Sequence, residues 1–478
     1  MTIRIALYGF GSFPVVFRHL IDAARRERSP VEFCAILTLP NHRRIIREVL
    51  AEADILDVFV ELPRQPEGGD LSLLSGYHGS LVEDLAALKW ERRRRPGRWR
   101  HAQGIDYYRL FKRFLSERQA THLLMSGIET PDAKIAVAVA QELGVGIIAP
   151  VDMRNLSGTY FSVDSCETPP PYAAATPETR ARAAELMQVF RDQPLPARHA
   201  PADQAYNADD RAELDPYLPS FAARVRGFIN VALERPDLFD HEAIRVSVMR
   251  SFGPIRNTVR GLRRWRNARR YDVAGVDGLP PRFIFYPLQY TPESSINVPA
   301  PYFVDQFRVV DALRFAMPSD CTLVVKEHPV CVEMRPPGFM RRMRNLPGVT
   351  VANVAISSVD LIKRAELTAT VTGTAALEAF LLGRPAIALG PGISAWALGG
   401  VAPLGDLRAR IAAEIRNPAT DDVVVERIAT LLSARYPFFF ATPHMPGEPM
   451  LRRGNIRAFW SAIVDHIARA EQAKGRAS

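Results

Sequence analysis

Phe283-Ile284-Phe285-Tyr286-Pro287-Leu288-Gln289-Tyr290-Thr291-Pro292-Glu293 decides how this chain folds. The apolar run predicts a buried strand, and the polar residues around Pro292 end it. The pattern then recurs. Residues 321–326 read as a second strand that stops at Glu327-His328-Pro329, and residues 349–354 as a third. Residues 367–371 form a fourth that runs into Thr372-Gly373-Thr374 and an apolar helix over 375–382, and residues 386–389 close the set. Strands that alternate with helical segments predict an α/β domain with a parallel sheet. In such a sheet the carboxyl ends of the strands form one rim, along which ligands bind.

Outward from this segment, the N-terminal half carries a second series. An apolar strand at 3–8 meets Gly9-Phe10-Gly11-Ser12 and a helix with Val15, Val16, Leu20 and Ile21 at helical spacing. This suits a Rossmann-like half-domain, but the third glycine of a dinucleotide fingerprint is missing. Further strands are predicted at 32–37, 58–62, 122–126 and 146–150. The last two are followed by carboxylates, Glu129 and Asp152. A carboxylate on that rim can act as general base toward a hydroxyl nucleophile; it can equally be a helix cap or turn residue. Residues 168–216 are an irregular, proline-rich excursion, and 272–281, with Gly275, Gly278, Pro280 and Pro281, read as a linker. The expected organisation is a first domain over 1–271 with a helical insertion, a linker over 272–281, a second domain over 282–448, and a C-terminal helix over 449–478 that packs back on the first domain.

The 478 residues exceed one ordinary core, and 47% hydrophobic with 24% charged residues is globular composition. Four cysteines without a CxxC pair argue against a zinc site or disulfide framework, and no HExxH, Asp-x-Asp or phosphate-loop lysine motif occurs. The net charge of +9 favours anionic partners. Much of it sits in Arg92-Arg93-Arg94-Arg95, flanked by Trp90 and Trp99, and in Arg263, Arg264, Arg266, Arg269 and Arg270, beside Trp265. Each cluster is either a solvated face or a contact to an anionic inner-membrane surface; no nucleic acid is expected. A cytoplasmic protein, peripheral on the inner membrane, is the expectation.

Several residues of the second half can do chemistry. Thr372-Gly373-Thr374 joins a strand to a helix start, where backbone N–H groups and hydroxyls suit a phosphate; Thr374 can also be a plain N-cap. Lys326 and His328 share parity at a strand end and can together face a leaving phosphate. Gln289 and Glu293 follow the first strand, where Glu293 can bind a sugar hydroxyl or sit as a first-turn glutamate. Ser358 belongs to a cap-like Ser357-Ser358-Val359-Asp360, and Glu378 can reach a ribose or stand exposed on its helix.

At these positions the chain resembles the capsule polysaccharide biosynthesis proteins, bacterial transferases that include Kdo transferases of surface glycans. The matching motifs are Tyr286-Pro287-Leu288-Gln289-Tyr290-x-Pro292-Glu293, Tyr302-Phe303-Val304-Asp305-Gln306, Val325-Lys326-Glu327-His328-Pro329, Ser358-x-Asp360-Leu361-Ile362 and Val371-Thr372-Gly373-Thr374-Ala375-Ala376-x-Glu378-Ala379. The resemblance implies a GT-B architecture, two Rossmann-like domains facing a cleft, and inverting, metal-independent transfer without a cofactor. The donor would be a nucleotide sugar, with CMP-Kdo the expected type, and the acceptor a glycan or lipid-linked glycan. It implies that His328 and Thr372-Gly373-Thr374 hold cytidine monophosphate. The base would come from the first domain, with Glu129 expected before Asp152. A UDP- or GDP-sugar donor, or a noncatalytic assembly or export role on the same fold, is the alternative.

Overall fold

The computed structural model describes residues 2–9, 13–38, 40–77, 97–128, 130–194, 226, 229, 233, 253–290, 296, 299–329, 331–333, 335–336, 338–441 and 449–477. Glu129, Glu293 and Arg92-Arg93-Arg94-Arg95 lie outside the described residues.

Two sheets organise the chain. The first holds β1 (Arg4–Gly9), β2 (Glu32–Leu37), β3 (Ile55–Asp57), β4 (His122–Met125), β5 (Gly146–Asp152) and β6 (Thr159–Ser162) in the order β3-β2-β1-β4-β5-β6. Its strands are parallel except β6, which runs antiparallel to β5. The second holds β7 (Phe283–Pro287), β8 (Thr322–Lys326), β9 (Val349–Ala352), β10 (Leu367–Thr370) and β11 (Ala386–Ala388) in the order β11-β10-β7-β8-β9, all parallel. In each sheet the first strand is central, with the second and third on one side and the fourth and fifth on the other. That is the doubly wound order, and it creates one point per sheet where the strand order reverses. Two such domains make the GT-B arrangement.

Two elements differ from the sequence reading. The third strand lies at Ile55–Asp57, and residues Val58–Glu61 form a helical turn. Val58, Phe59 and Leu62 are buried while Val60 and Glu61 are exposed, which is helical spacing and not alternation. Strand β6 had no counterpart in the sequence reading. It is a four-residue edge whose pairing is completed by the returning C-terminal chain: Tyr436 and Thr159 exchange backbone hydrogen bonds of 2.7 and 3.1 Å, and the Thr159 hydroxyl donates to Phe438 O at 2.9 Å.

From Tyr436 onward the chain belongs to the core of the first domain. The terminal helix Arg453–Ala477 buries Ile456, Phe459, Trp460, Ile463 and Ile467 in the cluster that contains Phe13, Phe17, Leu20 and Ile21 of the helix Phe13–Arg26. Phe438 stacks on Phe459 at 4.5 Å and Phe440 on Phe13 at 5.1 Å. The C-terminal helix therefore packs back on the first domain, as expected. Traffic in the other direction comes from the insertion. The helix Pro177–Asp192 starts with a Thr176–Thr179 capping box and lies on the helix Asp421–Ser433 of the second domain. Ala183 and Met187 share a core with Phe380, Val424 and Ile428. The ion pairs Arg180–Glu426 and Arg191–Asp421, each 2.6 Å, are largely exposed and set alignment more than stability.

Trp460 is the largest side chain in this crossing and is 1% exposed. Trp460→Ala is expected to cost about 3–5 kcal/mol in chemical denaturation. It should loosen the terminal helix first, as faster hydrogen exchange over 453–477.

Candidate functional site

The site grows from the reversal point of the second sheet, between β7 and β10. Strand β7 ends at Pro287, and Gln289 follows. The Gln289 side-chain amide donates to the Thr370 hydroxyl at 2.9 Å, and the same hydroxyl accepts from Gly373 N at 3.1 Å. The ends of β7 and β10 are thereby joined across the crevice. The loop Thr372-Gly373-Thr374 lies so close to this bridge that a Cβ on Gly373 would meet the Thr370 Oγ1 at 2.7 Å and the Gln289 Nε2 at 3.3 Å. Glycine at 373 is a steric requirement here.

Beside β7, strand β8 delivers Lys326, Glu327 and His328 at its end. Lys326 is buried, and its ammonium donates to the Ser358 hydroxyl at 2.9 Å. Burial lowers its pKa, and the buried Glu378 carboxylate opposes that shift. Glu378 in turn accepts from the Thr374 hydroxyl at 3.1 Å. So Lys326, Ser358, Glu378 and Thr374, drawn from two strand ends and two helix starts, form one polar group at the rim.

These bonds settle two of the local alternatives. Thr374 stands at the N-cap of the helix Ala375–Leu381 but makes no cap bond, because its hydroxyl is turned to Glu378. Ser357 likewise makes no side-chain cap bond at the helix Ser358–Arg364, and the Ser358 hydroxyl is taken by Lys326. Glu378 does not stand exposed on its helix: it is 4% exposed and bonded into the cluster through Thr374.

His328 lies at the edge, exposed, with its ring stacked on Tyr290 at 5.5 Å and 28°. Partial desolvation, then the charges of Arg335 and Lys326, hold its pKa below the ordinary histidine value. The backbone around it is fixed from beneath. Glu327 and Arg335, both 5% exposed, pair in two-pronged fashion at 2.7 and 3.0 Å. Glu327 also accepts from His328 N at 2.8 Å, and Arg335 donates to Gln289 O at 2.7 Å. Gln306 completes the frame, accepting from Gln289 N and from the Tyr286 hydroxyl, both at 2.8 Å. Arg335 escaped the sequence reading. Its only signal there was an arginine eight residues beyond Glu327 in an otherwise irregular stretch.

On the first domain, Asp152 ends β5 and its carboxylate accepts from Arg154 N at 2.8 Å, the turn-residue geometry. Arg154 also approaches Glu167 at 3.5 Å. Glu167 crosses to the second domain, accepting from Ile393 N at 2.9 Å, and the adjacent Ser394 hydroxyl donates to Gly373 O at 3.1 Å. A path of four side chains thus connects Asp152 to the Gly373 loop.

Two tests follow from this frame. Arg335→Ala leaves the Glu327 carboxylate buried without its counter-ion and is expected to cost about 3–5 kcal/mol in denaturant melts. For His328, an NMR titration should give a midpoint below that of a free histidine, and Lys326→Met should raise it by removing a neighbouring positive charge. The sign for stability is fixed by that depression. The unfolded chain takes up the proton first, so the stability from this residue is complete above the unfolded histidine pKa and is lost as pH falls through the folded value.

The comparisons with known proteins bear on the same region. No curated protein matches the chain in sequence. Among solved structures, the beta Kdo 2,4 transferase KpsC of Thermosulfurimonas dismutans is similar at 15% identity and TM-score 0.31, over 65% of this chain and 87% of that one. The beta Kdo 2,7 transferase KpsC of that organism is similar at 13% and 0.32, over 68% and 89%. The UDP-GlcNAc 2-epimerase of Neisseria meningitidis, bound to UDP-GlcNAc, is similar at 10% and 0.25, over 98% and 99%. Superpositions this loose decide neither fold nor activity. The model of the family described as capsule polysaccharide biosynthesis protein matches residues 259–436. That span holds the whole second sheet and the polar rim upon it.

Proposed function

We propose that this chain is an inverting, metal-independent glycosyltransferase of bacterial surface polysaccharide that takes its sugar from a CMP-activated donor such as CMP-Kdo. One observation carries the reading. Lys326, His328, Ser358, Thr374 and Glu378 converge at the strand-order reversal of the second sheet, beside a loop where Gly373 admits no side chain. The match to the capsule polysaccharide biosynthesis protein model over 259–436 supports a glycan-building role for that rim.

The chemistry assigned to it is as follows. The phosphate of the nucleotide lies against Thr372-Gly373-Thr374, within reach of Lys326 and His328. Preorganised positive charge and donors stabilise the developing negative charge as the bond to the anomeric carbon breaks. The electron pair of that bond leaves with the phosphate. The acceptor hydroxyl attacks the opposite face and gives its proton to a first-domain carboxylate, Glu129 or Asp152. The surroundings of His328 disfavour its protonated form, and an arriving phosphate opposes them, because an adjacent anion raises an imidazole pKa. Glu378, with Gln289 and Glu293 near the first strand, is assigned to the sugar and base of the nucleotide.

Thermal unfolding with cytidine monophosphate, UDP and GDP tests this on wild type and His328→Ala. A nucleotide present at one hundred times its Kd adds about 2.7 kcal/mol to stability. The expected result is stabilisation by the cytidine nucleotide alone, weakened in the variant. Stabilisation by UDP or GDP instead would replace the donor, and no shift with any nucleotide would move the chain to the noncatalytic assembly role.

A further inference from the structure

The helix Gly253–Ala268 and the two residues after it carry seven arginines, and no aspartate or glutamate occurs between Gly253 and Tyr271. Among the described side chains of this helix, one is buried. Asn267 is 6% exposed and its amide donates to Val332 O at 2.8 Å. At 100° per residue, a residue two positions away lies on the opposite side of the helix. Trp265 is therefore turned outward and is 56% exposed, and Leu262, within the same arc, is 66% exposed. Arg269 is exposed on the same arc, with its guanidinium over the Trp265 ring at 4.2 Å, and Arg263 and Arg264 are exposed on the two flanks of the helix, from which their long side chains can reach the same surface.

Burying two large apolar side chains would stabilise the folded chain, yet this face keeps them in solvent, ringed by cations. We propose that this helix face seats the protein on an anionic lipid surface, with Leu262 and Trp265 entering the headgroup layer and Arg263, Arg264 and Arg269 contacting lipid phosphates. Charge complementarity selects the partner: a segment without a single carboxylate from Gly253 to Tyr271 is matched by a continuous negative surface. A tryptophan flanked by arginines suits an interface that is apolar on one side and wet on the other. Among the described residues no helix is long and apolar enough to cross a membrane.

The position adds a consequence that rests on the transferase reading. Val332 belongs to the short turn Cys331–Glu333, and Cys331 N donates to His328 O at 2.8 Å. The helix that meets the lipid is bonded to the turn that carries His328. Seating the helix brings the donor rim to the bilayer, where a lipid-linked acceptor resides.

The test is co-sedimentation of the full-length protein with vesicles of phosphatidylcholine alone and of phosphatidylcholine mixed with phosphatidylglycerol. Binding to the mixed vesicles only is expected. Arg263→Glu with Arg264→Glu should weaken it roughly thirtyfold or more. Leu262→Ser with Trp265→Ser should weaken it while every charge remains. Unchanged melting temperatures would show that both variants fold, since all four side chains are exposed. Equal binding to the two vesicle types, wild-type binding by either variant, or no vesicle binding with retention of a single-stranded oligonucleotide would overturn the proposal. The readout involves no donor, so it can fail while the cytidine stabilisation stands, or stand while that fails.

Discussion

The buried pair of Glu327 and Arg335 is the constraint on which the rim depends. Taking two ions out of water costs several kcal/mol each, and only close, complete bonding offsets it. Here the two bonds between them are supplemented by two to the backbone, from His328 N to Glu327 and from Arg335 to Gln289 O. The pair therefore holds the ends of β7 and β8 in one relation. Gln289, so fixed, reaches Thr370 and through it the Gly373 loop. Three strand ends become one polar network, and networks of this kind are stable only when each member is satisfied. The polar cluster of Lys326, Ser358, Thr374 and Glu378 is carried on that frame and is not part of it.

Most of this domain was legible in the sequence because parallel strands covered on both faces are written as short unbroken apolar runs. All five strands of the second sheet lie within the expected segments. The polar residues at their ends were legible too, since a polar residue straight after such a run falls on the rim. Local pattern failed where a distant partner decides. Thr374 and Ser357 look like caps, yet neither caps its helix: Glu378 holds the Thr374 hydroxyl, and the neighbouring Ser358 serves Lys326. Strand β6 owes its existence to Tyr436 and Phe438, which lie hundreds of residues away in sequence. Arg335 is invisible for a related reason. The chain turns back through Cys331 and Val332, and only that turn brings the guanidinium beneath Glu327.

The first domain presents the opposite case, an irregular surface that the second domain holds in place. Arg154, Ser157 and Glu167 all adopt left-handed backbone conformations, with φ of 56°, 58° and 59°. Each costs of order 1–3 kcal/mol in a non-glycine residue and persists only when its surroundings over-determine it. The surroundings are identifiable. Arg435 donates to Ser157 O at 2.8 Å, a Cβ on the neighbouring Gly158 would come within 2.9 Å of Tyr436 O, and Glu167 is anchored on Ile393 N at 2.9 Å. Every one of these contacts comes from beyond residue 390. The turn that carries Asp152 is therefore held by the chain that returns from the second domain, and Glu167 by the second domain itself. A strained first-domain loop held by atoms from beyond residue 390 makes the geometry around Asp152 a property of the assembled chain.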